Sequence, residues 1–314
     1  MASFWNLVNH VIEMSDILLL VIDARMVEET RNWEVENKVL SKQKHLLYVI
    51  NKCDMVEFSA LKQRTKGLNP KVFVSATKHL GATRLRTKLK ILSKLVKKER
   101  HEKQKRWAEK NLKNEEAEIK CKGKKITEKE CREREEAEED HDEGINEMEE
   151  IEQIIPTPKK KRRQDIKIGV LGYPNVGKSS IINFLKGKAS AGTSSESGFT
   201  RSYQYVKLNK EITLIDTPGV LTREDKQMGF SEKVIIGSID YSKVKDPLSA
   251  CESLIEKLGG IIEKYYDVKK HEEIEETIEE IAVKRHLLMK GGKPDTERAA
   301  RMVLKDWQQC KIRI

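Results

Sequence analysis

Residues 166–180 read IKIGVLGYPNVGKSS, and this stretch decides the fold. Ile166, Ile168, Val170 and Leu171 form a short apolar run of the kind that makes a buried parallel strand. Gly172 to Ser179 then match G-x-x-x-x-G-K-[ST], and Ile181, Ile182 and Leu185 follow at helical spacing. Strand, glycine loop and helix in this order are the setting of a phosphate-binding loop. Such a loop wraps backbone N–H groups around an anion, and the helix N-terminus adds its dipole. Pro174, Asn175, Val176 and Gly177, with Ser180 at the helix start, are expected to line the phosphates. Gly172 and Gly177 let the backbone approach closely where a side chain would intrude. Lys178 is expected to reach the β- and γ-phosphates, and Ser179 to ligate Mg²⁺.

The base is chosen elsewhere. Residues 45–54 read HLLYVINKCD, an apolar strand ending in N-K-x-D. Asp54 can accept from guanine N1–H and the N2 amine, Asn51 can bond the N7/O6 edge, and the Lys52 stem can lie over the ring. Adenine lacks the N2 donor and would leave Asp54 buried and unpaired, a penalty that can discriminate by roughly 10⁴-fold. A third strand, KVFVSAT at 71–77, ends in Ser75-Ala76, where the Ala76 N–H is placed to donate to guanine O6. Residues 211–216 form another apolar strand ending in DTPG. Asp216 is expected to hold Mg²⁺ through a water, and the Gly219 N–H to touch the γ-phosphate. These motifs select GTP and GDP over adenine nucleotides.

Their order is unusual. NKCD (51–54) and SAT (75–77) precede GYPNVGKS (172–179), and DTPG (216–219) comes last. Ordinary GTPases begin with the phosphate loop. The chain resembles the circularly permuted, YlqF-related ribosome-assembly GTPases, which share this order, over residues 1–97 and 165–314. Several expectations follow from the resemblance. Thr200 in GFT resembles the switch threonine that binds Mg²⁺ through its hydroxyl. Val220 stands where signalling GTPases place a water-positioning Gln; the permuted family also has a hydrophobic residue there. No catalytic side chain is therefore identified, and turnover is expected to be slow. Asn175 resembles the asparagine that binds K⁺ in several such GTPases, although an Asn here could equally stiffen the loop. The segment GGKPDTERAARMVLKDW (291–307) resembles the family's C-terminal signature, which implies binding to large-subunit ribosomal RNA or its precursor.

Composition is compatible with that partner. The 314 residues carry 61 Lys+Arg against 51 Asp+Glu, a net charge of +10, and such a balance suits an anionic surface. Five cysteines are scattered without a C-x-x-C, so reduced thiols rather than a metal site are expected. No run approaches 18 apolar residues and the N-terminus lacks signal-peptide character. A cytoplasmic monomer without membrane contact is the expectation.

The expected architecture is a doubly wound, mostly parallel α/β sheet plus a helical C-terminal domain. Residues 1–97 and 165–222 supply the permuted nucleotide domain, and 223–314 the RNA-binding helices. An opening helix at 3–14, the strand DILLLVID at 16–23 and a helix over about 31–42 precede the base-recognition strand. Asp23, ending its strand, reads as structural or capping. Residues 82–97 repeat Leu85, Leu89, Leu92 and Leu95 at helical spacing, whereas 98–164 are densely charged with few apolar residues. That segment reads as a solvated helical arm or a loop, with KKKRR at 159–163 a basic linker or a nuclear signal. Helices are expected from Pro247 to about 258, over 271–290 through Ile274, Ile278, Ile281 and Leu288 until Gly291-Gly292, and over 295–309. On the last, Ala300, Val303, Leu304 and Trp307 face the core while Arg298, Arg301 and Lys305 offer a basic face to RNA.

Overall fold

The computed structural model describes residues 2–134, 165–187, 204–219 and 228–314. Residues 1–92 and 165–314 form one compact unit and 93–164 a second. Thr200, Val220 and the KKKRR run lie outside the described residues.

Six strands form one sheet in the order β3-β2-β1-β4-β6-β5. They are β1 (Ile17–Asp23), β2 (His45–Asn51), β3 (Lys71–Phe73), β4 (Ile166–Gly172), β5 (Gln204–Lys207) and β6 (Ile212–Asp216). All neighbours pair in parallel except β5, which runs antiparallel to β6. β1 is ILLLVID and every residue is buried, as a central strand covered on both faces requires. The strand order reverses between β1 and β4, and in open α/β sheets ligands bind beyond the strand C-termini at such a switch point. The phosphate loop leaves β4 at that position.

Helices α1 (Ala2–Met14), α2 (Trp33–Ser41), α3 (Phe58–Arg64) and α5 (Lys178–Lys186) flank the sheet sequence. Asn32 starts α2 by accepting from the Val35 N–H at 2.9 Å. Gly187, at φ +74, ends α5. α4 runs over Ala82–Arg134, far beyond the apolar repeat, with Leu85 and Leu89 buried near its start. Its Lys, Glu and Arg residues are good helix formers without an apolar face to bury. Arg86 on this helix donates to the carbonyls of Phe184 and Leu185 at 3.2 and 2.9 Å, closing the end of α5.

The C-terminal helices are α6 (Phe230–Ile235), α7 (Pro247–Leu258), α8 (Ile261–Tyr266), α9 (Ile274–Lys284) and α10 (Thr296–Gln308). Asp246 caps α7 and Pro247 takes its first position. α9 stops at Lys284, six residues short of the expected end at 290. His286 turns left-handed at φ +54, and Leu288 then bridges Pro294 across the Gly291-Gly292 turn. α10 buries Ala299, Ala300, Val303, Leu304 and Trp307. Among the described residues no helix is long and apolar enough to cross a membrane.

Candidate nucleotide site

The register of the sheet assembles the motifs. Asp23 lies beside Asn51 at the ends of β1 and β2, and Asp216 beside Val170 near the ends of β6 and β4. The loops after β2, β3, β4 and β6 therefore meet at one edge of the sheet.

The phosphate loop needs its glycines. Gly172 sits at φ +148 and Gly177 at φ +96. A Cβ on Gly177 would stand 2.3 Å from the Asn51 amide nitrogen, and one on Gly172 2.4 Å from the Val21 carbonyl oxygen. Lys178 is buried, and its ammonium donates to the loop carbonyls of Gly172 and Tyr173 at 3.1 and 2.7 Å. Burial pushes its pKa down to about 8, with Asp216 opposing the shift. A bound polyphosphate would supply the anion this desolvated cation favours.

Ser179 Oγ donates to Asp216 Oδ2 at 2.8 Å. The other oxygen, Asp216 Oδ1, is buried without a hydrogen-bond partner among the described residues. Burial raises the Asp216 pKa, while Ser179 and Lys178 counter it. The Ser179 hydroxyl and the Asp216 carboxylate, one of whose oxygens is orphaned, are hard oxygen donors, and they fit Mg²⁺. The Thr217 hydroxyl donates to the Val170 carbonyl at 2.6 Å and pins the start of DTPG to the phosphate strand. A Cβ on Gly219 would come within 2.5 Å of Pro174, so the two motifs are in close approach.

A cavity of about 630 Å³ adjoins the loop. Asn51, Lys52, Asp54 and Ala76 line one part of it, and Asn175, Gly177 and Ser180 another. Its size suits a nucleoside. Asp54 Oδ1 is buried and has no partner among the described residues. Such an oxygen costs about 1–3 kcal/mol until a donor arrives, and the N–H groups of guanine would supply one. Ser75 is buried and accepts from the Lys78 N–H at 3.1 Å, so it shapes this loop.

Asn51 and Ala76 are placed differently from the sequence expectation. The Asn51 amide donates to the Val176 carbonyl at 2.8 Å and accepts from the Ala76 N–H at 3.2 Å. It braces the phosphate loop against the SAT loop rather than presenting an edge to the base, because the two loops arrive on either side of it. The Ala76 N–H is accordingly directed at Asn51. Asn175, at φ +57, donates to the Gly237 carbonyl at 2.9 Å, the loop-stiffening arrangement. Of the basic face, Arg298 and Lys305 are exposed. Arg301 is half-buried, paired with Glu297 at 3.0 Å and bonded to the Val244 carbonyl at 3.1 Å.

Two contacts go beyond the sequence reading, which took Asp23 as structural or capping. Asp23 pairs with Lys52 of the base-recognition motif at 2.8 Å; its place at a strand end was the available signal. Gln308–Lys311 and Arg313 also line the base cavity, which no local pattern announces.

Residues 167–289 match the family described as 50S ribosome-binding GTPase. A GTP-binding protein of Methanocaldococcus jannaschii is 34% identical over 98% of this chain and 65% of its own length. Nucleolar GTP-binding protein 2 of Yarrowia lipolytica is 28% identical over 98% of this chain and 49% of its own. GTPase grn1 of Schizosaccharomyces pombe is 26% identical, covering 96% and 59%. The chain thus spans about half to two thirds of these curated relatives. GDP-bound YlqF of T. maritima superposes with a TM-score of 0.55 at 20% identity, covering 97% of this chain and 94% of that one; this likeness concerns the fold.

Proposed function

We propose that the chain, which matches a GTPase family model and shares the motif order of the circularly permuted, YlqF-related GTPases, is one of them, binds and slowly hydrolyses GTP, and serves assembly of the large ribosomal subunit, holding its ribosomal RNA. The observation that carries the nucleotide part is the meeting of NKCD, SAT, the phosphate loop and DTPG at one sheet edge, with Asp54 and Asp216 each keeping a buried oxygen free of any described partner. Lys178 would neutralise the β- and γ-phosphates, and the N-terminus of α5 would orient them. Ser179 and Asp216 would hold Mg²⁺, which when bound neutralises charge on the transferring phosphoryl group.

The ribosomal part rests on the description of the matching family as 50S ribosome-binding, on a relative that is a nucleolar GTP-binding protein, and on the net charge of +10. An alternative is action on another RNA or on translating ribosomes; a third reading is a scaffold that uses nucleotide only for structure. Sedimentation of the tagged protein with ribosomal particles, with GDP and with a non-hydrolysable GTP analogue, tests the choice. Co-migration with large-subunit precursors in the analogue alone supports the proposal. Migration with mature ribosomes supports the alternative. A GTP-hydrolysis assay separates the third reading, since absence of turnover would leave the scaffold.

Hydrolysis is expected to be faster in K⁺ than in Na⁺ if Asn175 turns its oxygen to an ion. Equal rates would leave Asn175 as a brace to Gly237.

A further inference from the structure

Asp23 holds a carboxylate at the end of β1, almost fully buried. Its Oδ1 accepts from the Arg25 N–H at 3.0 Å and from Arg25 Nε at 3.2 Å. Its Oδ2 accepts from Arg25 Nη2 at 3.0 Å and lies 2.8 Å from the Lys52 ammonium. Lys52 itself is held left-handed at φ +61, between the base-strand and Asp54. The remaining guanidinium nitrogen, Arg25 Nη1, donates to the Trp307 carbonyl at 2.6 Å. The same guanidinium lies 4.1 Å from the centre of the Trp307 ring. Trp307 is in the last turn of α10, where the helix dipole favours a cation. The chain then runs through Gln308–Arg313 along the base cavity, and the Ile314 N–H donates to the Met55 carbonyl at 2.8 Å.

A buried ion pair is weak as a source of stability, because desolvation offsets most of the attraction. What an apolar pair could not do here is hold the Lys52 ammonium on one side and the α10 carbonyl on the other. Each charge in the chain Lys52–Asp23–Arg25–Trp307 has its partner, so the network fixes geometry.

We propose that Asp23 and Arg25 are positioning residues for the base pocket: Asp23 fixes Lys52 against it, and Arg25 fixes the end of α10, so that Gln308–Arg313 form its outer wall. The proposal rests on the guanine-nucleotide reading of the cavity. Linkage makes the effect reciprocal: a base in the pocket steadies the end of α10, and a loosened α10 weakens the base. Occupation of the phosphate loop alone should do neither.

The test uses the full chain and two probes, GDP and inorganic tripolyphosphate, which reaches only the phosphate loop. Asp23→Asn is expected to weaken GDP about tenfold and to leave tripolyphosphate within about twofold. Arg25→Lys, which keeps the charge and loses the fork, is expected to fall between. No loss for GDP, or equal losses for both probes, overturns the proposal. The unmodified chain gives an answer that needs no variant to fold. GDP should slow hydrogen exchange of the amides at 306–314, and tripolyphosphate should not. Equal exchange with both probes overturns the proposal as well. A wild-type chain that binds ADP as well as GDP would remove the guanine reading and this proposal together. Guanine preference untouched by Asp23→Asn would remove the proposal alone.

Discussion

Asp54 Oδ1 has no hydrogen-bond partner among the described residues and is buried. If guanine N1–H and N2–H are its donors, Asp54→Asn replaces an acceptor by a donor. Two hydrogen bonds to a charged group are worth about 3 kcal/mol together, so GDP should weaken roughly 100-fold. Xanthosine diphosphate, with a 2-oxo group, should gain. Competition binding checks this, and an unchanged preference for guanine would remove Asp54 from the site. Gly177 makes a second residue-scale case. Its φ is +96, and a Cβ would lie 2.3 Å from the Asn51 amide. Gly177→Ala should therefore cost about 1–3 kcal/mol of stability and loosen nucleotide, seen as a lower unfolding midpoint. Both residues were legible in the sequence, since phosphate and guanine chemistry demand these types at fixed spacing. The role of Asn51 was not. An amide has two ends, and which groups it meets depends on two loops, after β3 and β4, that are remote in sequence.

α9 shows where periodicity fails. Ile274, Ile278, Ile281 and Leu288 keep helical spacing, yet the helix ends at Lys284. His286 adopts a left-handed backbone, and no Gly or Pro marks the stop in sequence. The Leu287 N–H then returns to the Ala282 carbonyl at 2.8 Å, and Leu288 joins a short bridge with Pro294. The distinction is measurable. Ile281 is fully buried whereas Leu288 is 46% exposed. Ile281→Ala should cost about 2–5 kcal/mol, and Leu288→Ala less than about 0.5 kcal/mol. Comparable losses in denaturant titrations would restore the longer helix. The strands were easier to read. β1, β2, β4 and β6 are buried nearly end to end, and continuous apolar runs have that meaning in a parallel sheet. α4 was underestimated for the opposite reason. Its apolar repeat fades while its charged residues still favour helix, so the apolar face alone could not show that the helix runs as far as Arg134.

At the scale of the whole molecule, residues 1–92 and 165–314 form a compact unit that contains all six strands and every described nucleotide residue. Replacing 98–164 by a short flexible linker should leave GDP affinity within about twofold; calorimetric binding would expose a larger dependence. RNA contact is a separate question, and the packing of α10 sharpens it. Trp307, Leu304, Val303 and Ala300 anchor the helix inside that unit. Arg301 is occupied by Glu297 and the Val244 carbonyl, which leaves Arg298 and Lys305 as the exposed cations of this face. Phosphate contacts of such residues position a protein without reading sequence, and each releases counterions on binding. Replacing Arg298 and Lys305 together by Glu keeps the Arg301 pair and the buried face intact. Affinity for a large-subunit RNA fragment should fall, and the slope of log affinity against log salt should become shallower by up to about two contacts. GDP affinity should stay unchanged, since neither residue lines the base cavity. Binding of the fragment across a salt series measures both effects. A double variant with wild-type affinity and slope would take the RNA surface off α10 and shift attention to the basic start of the 98–164 segment, KERHEKQKR at 98–106.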